Sequence, residues 1–379
     1  MHPPIYLDYN ATTPIDPEVV TEMLPYFQTH FGNPSSGYGL GMQNKQAIEK
    51  ARLQVAELIG ALPEEIIFTS CGTESNNLAI RGIAFASQEK GKHIIASSIE
   101  HPAVTEVCRY LASLGWEITY LPVDKYGTVN SEDVKRSIRP ETVLISIMHA
   151  NNEVGTIQPI SEIGIIAKES NIIFHTDAAQ SVGKINTKVN VLGVDLLTIA
   201  GHKLYAPKGI GTLYIRKGVN IENLMFGAGH EMGRRPGTEN VPYIVGLGKA
   251  CELAHKNLEA NSQHIFQMRQ RLLDGLKEKS ASNITVNANL ENCLPNTLSI
   301  SFANIEAQTL ASVIGDKVCI STGSACHSGS VEISPVLKAM NVEHKQAAGT
   351  VRISTGKFTT PVEVDRAIHI ISDAIQKLV

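Results

Sequence analysis

The sequence predicts an α/β protein in which a mostly parallel seven-stranded sheet lies between helices, with a smaller α+β domain attached. Three observations predict it. Between residues 66 and 215 seven short apolar runs recur, each of a length that suits a buried strand. Stretches with apolar residues three and four apart separate them, and alternation of the two patterns means βαβ units. Beyond residue 243 the alternation gives way to a long helical stretch and two isolated strand patterns.

Taken in order, Asp16-Pro17-Glu18 is a helix start, with an N-cap carboxylate followed by proline at N1. The glycine-rich run from Gly32 to Gly41 does not fit GxGxxG and no strand precedes it, so a flexible loop over the site is expected. The sheet strands are placed at 66–69, 93–97, 118–123, 143–148, 172–175, 196–199 and 211–215, with helices at 102–114 and 161–169 among the connections. Lys208-Gly209-Ile210-Gly211 lacks the full P-loop spacing and reads as the turn into the last of these strands. Residues 243–276 read as helix, 298–302 and 351–353 as strands. Thr360-Pro361-Val362-Glu363 is a capping box that opens a last helix.

Composition narrows the function. With 33 Lys and Arg against 37 Asp and Glu the formal net charge is −4, and the basic residues are scattered. That excludes the clustered basic face of a nucleic-acid-binding protein. No apolar run approaches the ~18 residues of a spanning helix, and Met1-His2-Pro3-Pro4 does not open a signal peptide. The six cysteines show no CxxC spacing, so a reduced, cytoplasmic setting is expected, with most of them small buried hydrophobes. Cys319, Cys326 and His327 match no zinc pattern, and no metal site is expected.

Lys203 closes the run Leu196-Leu197-Thr198-Ile199-Ala200-Gly201-His202-Lys203, so it should emerge at the C-terminal end of a buried strand, where open α/β sheets place ligands. Asp177 ends an equivalent run, Ile172-Ile173-Phe174-His175-Thr176-Asp177. An amine for a Schiff base and a carboxylate for a pyridinium nitrogen are what pyridoxal 5'-phosphate (PLP) requires. Gly72-Thr73-Glu74-Ser75 opens a helix after a strand, an anion site suited to the phosphate, to which His202 could add a donor; taken alone the signal is weak, since Ser/Thr helix starts are ordinary capping. His101 sits at a strand mouth, either stacked on a ring and moving protons or acting as an N-cap. The amide of Asn152 ends the next strand, where it can bond a ring hydroxyl or a substrate carboxylate. Arg352 could grip a substrate carboxylate as a bidentate pair, or form a surface salt bridge. Cys326 lies among small residues, Ser324-Ala325-Cys326-His327-Ser328-Gly329, which suggests a mobile exposed loop and a nucleophilic thiol beside His327.

Several segments together resemble the cysteine desulfurases of the NifS/IscS type, within the class V aminotransferase group of fold-type I PLP enzymes. They are Tyr6-Leu7-Asp8-Tyr9-Asn10-Ala11-Thr12-Thr13-Pro14, Gly32-Asn33-Pro34-Ser35-Ser36, Thr73-Glu74-Ser75-Asn76-Asn77, His175-Thr176-Asp177-Ala178-Ala179-Gln180, Gly201-His202-Lys203 and Arg235-Pro236-Gly237-Thr238-Glu239-Asn240. The resemblance implies a Schiff base on Lys203, which also moves protons at Cα. Asp177 would keep the pyridine nitrogen protonated, Gln180 would bond the phenolic oxygen and His101 would stack on the ring. Thr73 and His202 would hold the phosphate, Thr238 would reach the phosphate of a neighbouring subunit in a homodimer, and Asn152 and Arg352 would hold the substrate carboxylate. Cys326 would take sulfur from L-cysteine as a persulfide, release alanine, and pass the sulfur to an acceptor protein. The implied division is a large PLP-binding domain at 14–252 and a small domain at 1–13 and 253–379 carrying the cysteine loop.

Three departures stand out. Ala200 replaces a serine that many relatives use on the phosphate. His327 follows Cys326 where many relatives carry Ser or Thr, and Ala-Cys-His also resembles selenocysteine lyases and desulfurases of DNA phosphorothioation. The last helix ends near Val379, without the extra segment by which housekeeping relatives dock an iron–sulfur scaffold. The acceptor pathways left open are iron–sulfur cluster assembly, tRNA thiolation and DNA phosphorothioation. Selenocysteine lyase and class V aminotransferase remain alternative activities.

Overall fold

The structure, a computed structural model, describes residues 3–280, 284–327 and 330–378, with the backbone alone at 280, 324–327 and 330–332. In chain order the strands are β1 (Ile5–Tyr6), β2 (Ile66–Thr69), β3 (His93–Ser97), β4 (Glu117–Leu121), β5 (Thr142–Ser146), β6 (Ile173–Asp177), β7 (Leu196–Ala200) and β8 (Gly211–Ile215). There follow β9 (Ile284–Val286), β10 (Thr297–Phe302), β11 (Val318–Cys319), β12 (Ser321–Thr322), β13 (Ser324–His327), β14 (Ser330–Ile333) and β15 (Thr350–Ser354). The helices that position the site are α1 (Pro17–Gln28), α2 (Gly39–Ile59), α3 (Gly72–Ser87), α4 (Pro102–Ser113), α5 (Ser131–Ser137), α6 (Ile160–Glu169), α7 (Val189–Leu192), α8 (Val241–Ser280) and α9 (Ala307–Ile314). Short α10 (Pro335–Ala339) and α11 (His344–Ala348) precede the last helix, α12 (Pro361–Leu378).

All seven apolar runs pair into one sheet, in the order β2-β8-β7-β6-β5-β3-β4. Pairs among β3 to β7 are parallel, and β8 alone runs antiparallel, between β2 and β7. The predicted mostly parallel seven-stranded sheet is therefore present. Its central strands are buried from end to end, as parallel strands covered on both faces must be. One face packs against α1, α2, α6 and α8 through residues such as Val55, Ile59, Ile145, Phe174, Ile199 and Leu247. The other packs against α3 and α4 through Ile80, Ile83, Val104, Leu111 and Leu144.

A second core gathers Ile5 and Leu7 with Leu272, Leu276, Leu298, Ile300, Val351, Ile353, Val364 and Ile371. Its four-stranded antiparallel sheet runs β12-β15-β10-β9. β1 lies parallel to β11, so the N-terminal segment enters this unit beside residues that follow it by more than three hundred positions. Gly356 permits the crossing, because a Cβ there would meet the Tyr9 ring at 2.1 Å. α8 links the two cores as one long helix, bent where Asn257 leaves helical geometry (φ −115°, ψ 16°) and its side chain bonds the Leu253 carbonyl at 2.9 Å.

The caps follow the predicted chemistry. Asp16 accepts from the Glu18 N–H at 2.8 Å with Pro17 at N1, and Thr360 and Glu363 exchange the two bonds of a capping box. Two loops differ from expectation. The run from Gly32 to Gly41 is helical from Gly39 onward, because Asn44 turns back to bond the His30 and Gly32 carbonyls and ties the approach to α2. The Cys326 segment, expected as a loop, has the backbone of a hairpin, with β13 antiparallel to β14 and Cys326 opposite Val331. Pairing satisfies main-chain groups that small side chains leave uncovered.

A buried ion pair joins α2 to the edge of the large sheet. Arg52 donates to both oxygens of Glu231 at 2.9 Å and also bonds the Ile66 carbonyl, while Glu231 accepts from the Phe68 N–H at 2.8 Å. Removing one partner strands a buried charge. Arg52→Met is expected to lower the free energy of unfolding in urea by about 3–5 kcal/mol.

Candidate active site

A cavity of about 460 Å³ opens at the C-terminal ends of the central strands. Segments that follow five of the strands supply most of its wall, and the small unit closes it. β6 ends at Asp177, and β7 runs through Ala200 into a tight turn, Gly201–Lys203, that presents His202 and Lys203. β2 leads into α3, bringing Cys71, Gly72 and Thr73 to its first turn. β3 leads to His101, and β5 to Met148, Ala150 and Asn152. Arg352 arrives from β15, and Asn10 and Ala11 from the N-terminal segment.

Asp177 is held from two sides. Its carboxylate accepts from Asn76 Nδ2 at 2.7 Å and from the Ala179 N–H at 2.9 Å, which fixes its plane at the mouth of β6. Lys203 Nζ donates to the main-chain carbonyls of Asn10 and Ala11. Burial, with the positive charge of Arg352, brings its amine from 10.5 down to about 8, against the pull of Asp8 and Asp177. Burial, aided by Lys203, Lys208 and His101, lowers His202 to about 4, so at neutral pH it is an uncharged ring. Its Nδ1 lies 3.1 Å from Thr12 Oγ1.

His101 caps a helix and also lines the cavity. Its Nδ1 accepts from the Ala103 N–H at 3.1 Å as the N-cap of α4, and the ring lines the cavity. Capping puts the ring proton on Nε2, and burial lowers its pKa although Asp177 opposes this. Gln180 Nε2 donates to the Asn10 carbonyl at 3.0 Å. Arg352 is not a surface residue: it donates to Asp8 at 2.7 Å, Ser321 Oγ at 2.7 Å and the Asn152 carbonyl at 3.0 Å, and its buried Nε has no partner among the described residues.

The start of α3 offers free N–H groups beside a closed floor, since a Cβ on Gly72 would meet the Ala200 Cβ at 3.2 Å. Cys71 caps this helix through its sulfur, which accepts from the Glu74 N–H at 3.5 Å. Glu74 in turn pairs with Arg235 at 2.8 Å. Thr238 is not in the cavity of its own chain; it lines a separate hollow with Arg235, Glu231 and Thr69. None of residues 32–38 lines the cavity, contrary to the loop expected there. The Cys326 side chain lies outside the described residues. Its hairpin springs from β12, where Ser321 pairs with Arg352, and returns at Ser334, whose hydroxyl bonds the Glu153 carboxylate.

Sequence reasoning missed Asn76, Asn10, Asp8 and Glu100. Asn76, one turn beyond Gly72, faces a partner 101 positions away, which no local pattern encodes. Glu100 sits beneath the cavity, where it accepts from Ser97 and from the Met148 N–H at 2.9 Å, and burial pushes its carboxyl up to about 8. The only sequence hint was its place beside His101.

Known proteins resemble this chain along nearly its whole length. The Aminotransferase class-V family matches residues 5–367. Cysteine desulfurase IscS of Methanosarcina thermophila is 50% identical over 375 residues, 99% of this chain and 92% of that protein. The chain belongs to the class V aminotransferase family, in its NifS/IscS-like branch. Within that branch, a solved NifS-like protein superposes with a TM-score of 0.93 at 40% identity, covering 99% of this chain and 100% of that one. Another, SspA in complex with cysteine, has a TM-score of 0.83 at 38% identity and covers 94% and 99% of the two chains. The fold class read from sequence, that of fold-type I enzymes, is the fold of this family.

The low pKa of Lys203 has a direct readout in protein freed of any bound aldehyde. Only the neutral amine reacts with acetic anhydride, so acetylation of Lys203, followed by peptide mass spectrometry, should rise through about pH 8. In the unfolded chain the rise should come near 10.5.

Proposed function

We propose that this protein is a PLP-dependent cysteine desulfurase that converts L-cysteine to L-alanine and holds the sulfur as a persulfide on Cys326. The observation that carries it is the convergence of Lys203, Asp177, Gln180, His101 and Arg352 on one cavity from four separate parts of the chain. The donor set suits PLP. Asp177 would face the ring nitrogen and Gln180 the phenolic oxygen, with His101 on the ring face. Thr73, His202 and the N–H groups opening α3 would take the phosphate. Bound there, PLP supplies an aldehyde for Schiff-base exchange and an electron sink at the substrate α-carbon.

The chain's own residues supply the rest. Arg352, aimed by Asp8 and Ser321, binds the substrate carboxylate, and Asn152 closes over the same group. Lys203, once free, is an amine of about 8 and so takes and returns a proton at Cα near neutral pH. The Cys326 thiolate attacks the substrate sulfur: an S–S bond forms, the C–S bond breaks, and its electron pair stays with the carbon fragment. Protonated, that fragment leaves as alanine. The persulfide then passes to an acceptor protein.

A homodimer completes the site. Thr238, remote from the cavity of its own chain, would reach the phosphate in the neighbouring subunit. On the same segment Phe226 is 94% exposed and Met232 is exposed, apolar surface that a partner would cover. The proposed division is a large domain at 14–252 and a small one at 1–13 and 253–379, supported by the two separate cores. No helix among the described residues is long and apolar enough to cross a membrane, and the described cysteines are free thiols, in keeping with a cytoplasmic setting.

Two variants test the chemistry. Cys326→Ala should abolish alanine and sulfide formation from L-cysteine, while the visible absorbance of the Schiff base still responds to cysteine. Alanine formation at the wild-type rate by this variant would point instead to a lyase that needs no thiol. Arg352→Lys should raise KM for L-cysteine on the order of 10- to 100-fold, since a lysine cannot form the two-point contact.

A further inference from the structure

Lys184 is a buried cation with no part in the chemistry above. It follows Gln180 by one turn, is 8% exposed, and directs Nζ to the Gln180 main-chain carbonyl at 2.8 Å and to Gln180 Oε1 at 3.1 Å. It forms no ion pair among the described residues. Burial, aided by the positive charges of Lys203 and Arg352 on the cavity side, brings its amine down to about 7. On the outer side it borders a hollow with His255, Lys256 and Glu259 of α8. A buried amine without a counter-ion costs stability, and its two hydrogen bonds both go to one residue.

We infer that Lys184 is a positioning residue that grips the Gln180 amide from behind and so presents Nε2–H to the cavity as a donor. Lys184 Nζ donates to Oε1, and the opposite end of the amide settles that orientation. The Asn10 carbonyl only accepts, and takes one Nε2 proton at 3.0 Å. The amide plane is thus fixed at both ends, and the second Nε2 proton, without a partner among the described residues, belongs to the cavity that Gln180 lines. A donor on Oε1 also polarises the amide and strengthens its N–H. The inference rests on the proposal that Gln180 donates to the phenolic oxygen of bound PLP. A weaker or misdirected donor there leaves that oxygen more basic, and the adjoining Schiff base keeps its proton to higher pH.

The test is a pH titration of the visible Schiff-base absorbance in PLP-reconstituted wild type, Lys184→Met, Gln180→Leu and the double variant. The expected result is a midpoint raised on the order of one pH unit by Lys184→Met. Gln180→Leu should raise it at least as far, with nothing added in the double variant. If Gln180→Leu raises the midpoint and Lys184→Met does not, the positioning role is wrong and the role of Gln180 stands. If neither moves it, the assignment of Gln180 fails, and the positioning role of Lys184 falls with it. If the two effects add, Lys184 acts by its charge and not through Gln180, which also overturns the inference. Should Lys184→Met not fold, Lys184→Ala takes its place in the same set of four proteins, and the same shifts support or overturn the role.

Discussion

Asn10 is the point on which both halves of the molecule converge. It is 1% exposed, and every polar group it owns is engaged. Its N–H goes to Ser354 Oγ, its amide nitrogen to Thr297 Oγ1 and the Asn152 carbonyl, and its side-chain oxygen accepts from Asn296. Its main-chain carbonyl accepts from Gln180 and Lys203. Thr297, Asn296 and Ser354 belong to the smaller sheet and its approach, while Asn152, Gln180 and Lys203 belong to the larger one. A single extended segment, held in register by Asp8 on Arg352, therefore sets the distance between the strand mouths and the guanidinium. Slippage of this segment by one residue would exchange the faces of Asp8 and Tyr9 and separate the two walls of the cavity.

The cavity's charge balance follows from that arrangement. Lys203, Arg352 and Lys184 lie within electrostatic range of one another, with Asp8 and Asp177 offsetting the charge on Lys203 and Glu153 that on Arg352. Neutral His202 and protonated Glu100 add no charge of their own at pH 7. A site so biased toward positive charge favours anions, and both a phosphate ester and an amino-acid carboxylate are anions. Burial first, and this repulsion second, keep the amines of Lys203 and Lys184 well below the ordinary lysine value, so groups that would be inert cations at a surface can exchange protons here.

Much of the fold was legible because its signals are local. All seven sheet strands fall within two residues of the apolar runs, and the capping residues Asp16 and Thr360 are where their chemistry put them. The ligand-facing ends of β6 and β7 followed from the rule that open α/β sheets bind at their C-terminal edge. What was not legible was non-local. Asn76 and Asp8 look like ordinary polar residues until the fold brings Asp177 and Arg352 to them. Local signal also misled: the glycines before α2 suggested a loop over the site, but Asn44 ties that segment down elsewhere. At His101 the two readings were not rivals, because one nitrogen caps a helix while the ring faces the cavity.

The pairing of segments so far apart in sequence bears on how the protein comes into being. Asp8 and Arg352 are separated by 344 positions, as are Asn10 and Ser354. At roughly 5–20 residues per second of synthesis, the first strand waits about 17–69 s for its partners. Through that interval the larger sheet can assemble alone, but Ile5 and Leu7 have no core to enter. The opening segment is thus among the late parts to find its place, and the cavity closes only after Ser354 has been made. A nascent chain released early would carry Lys203 on a finished sheet and still lack the wall that faces it.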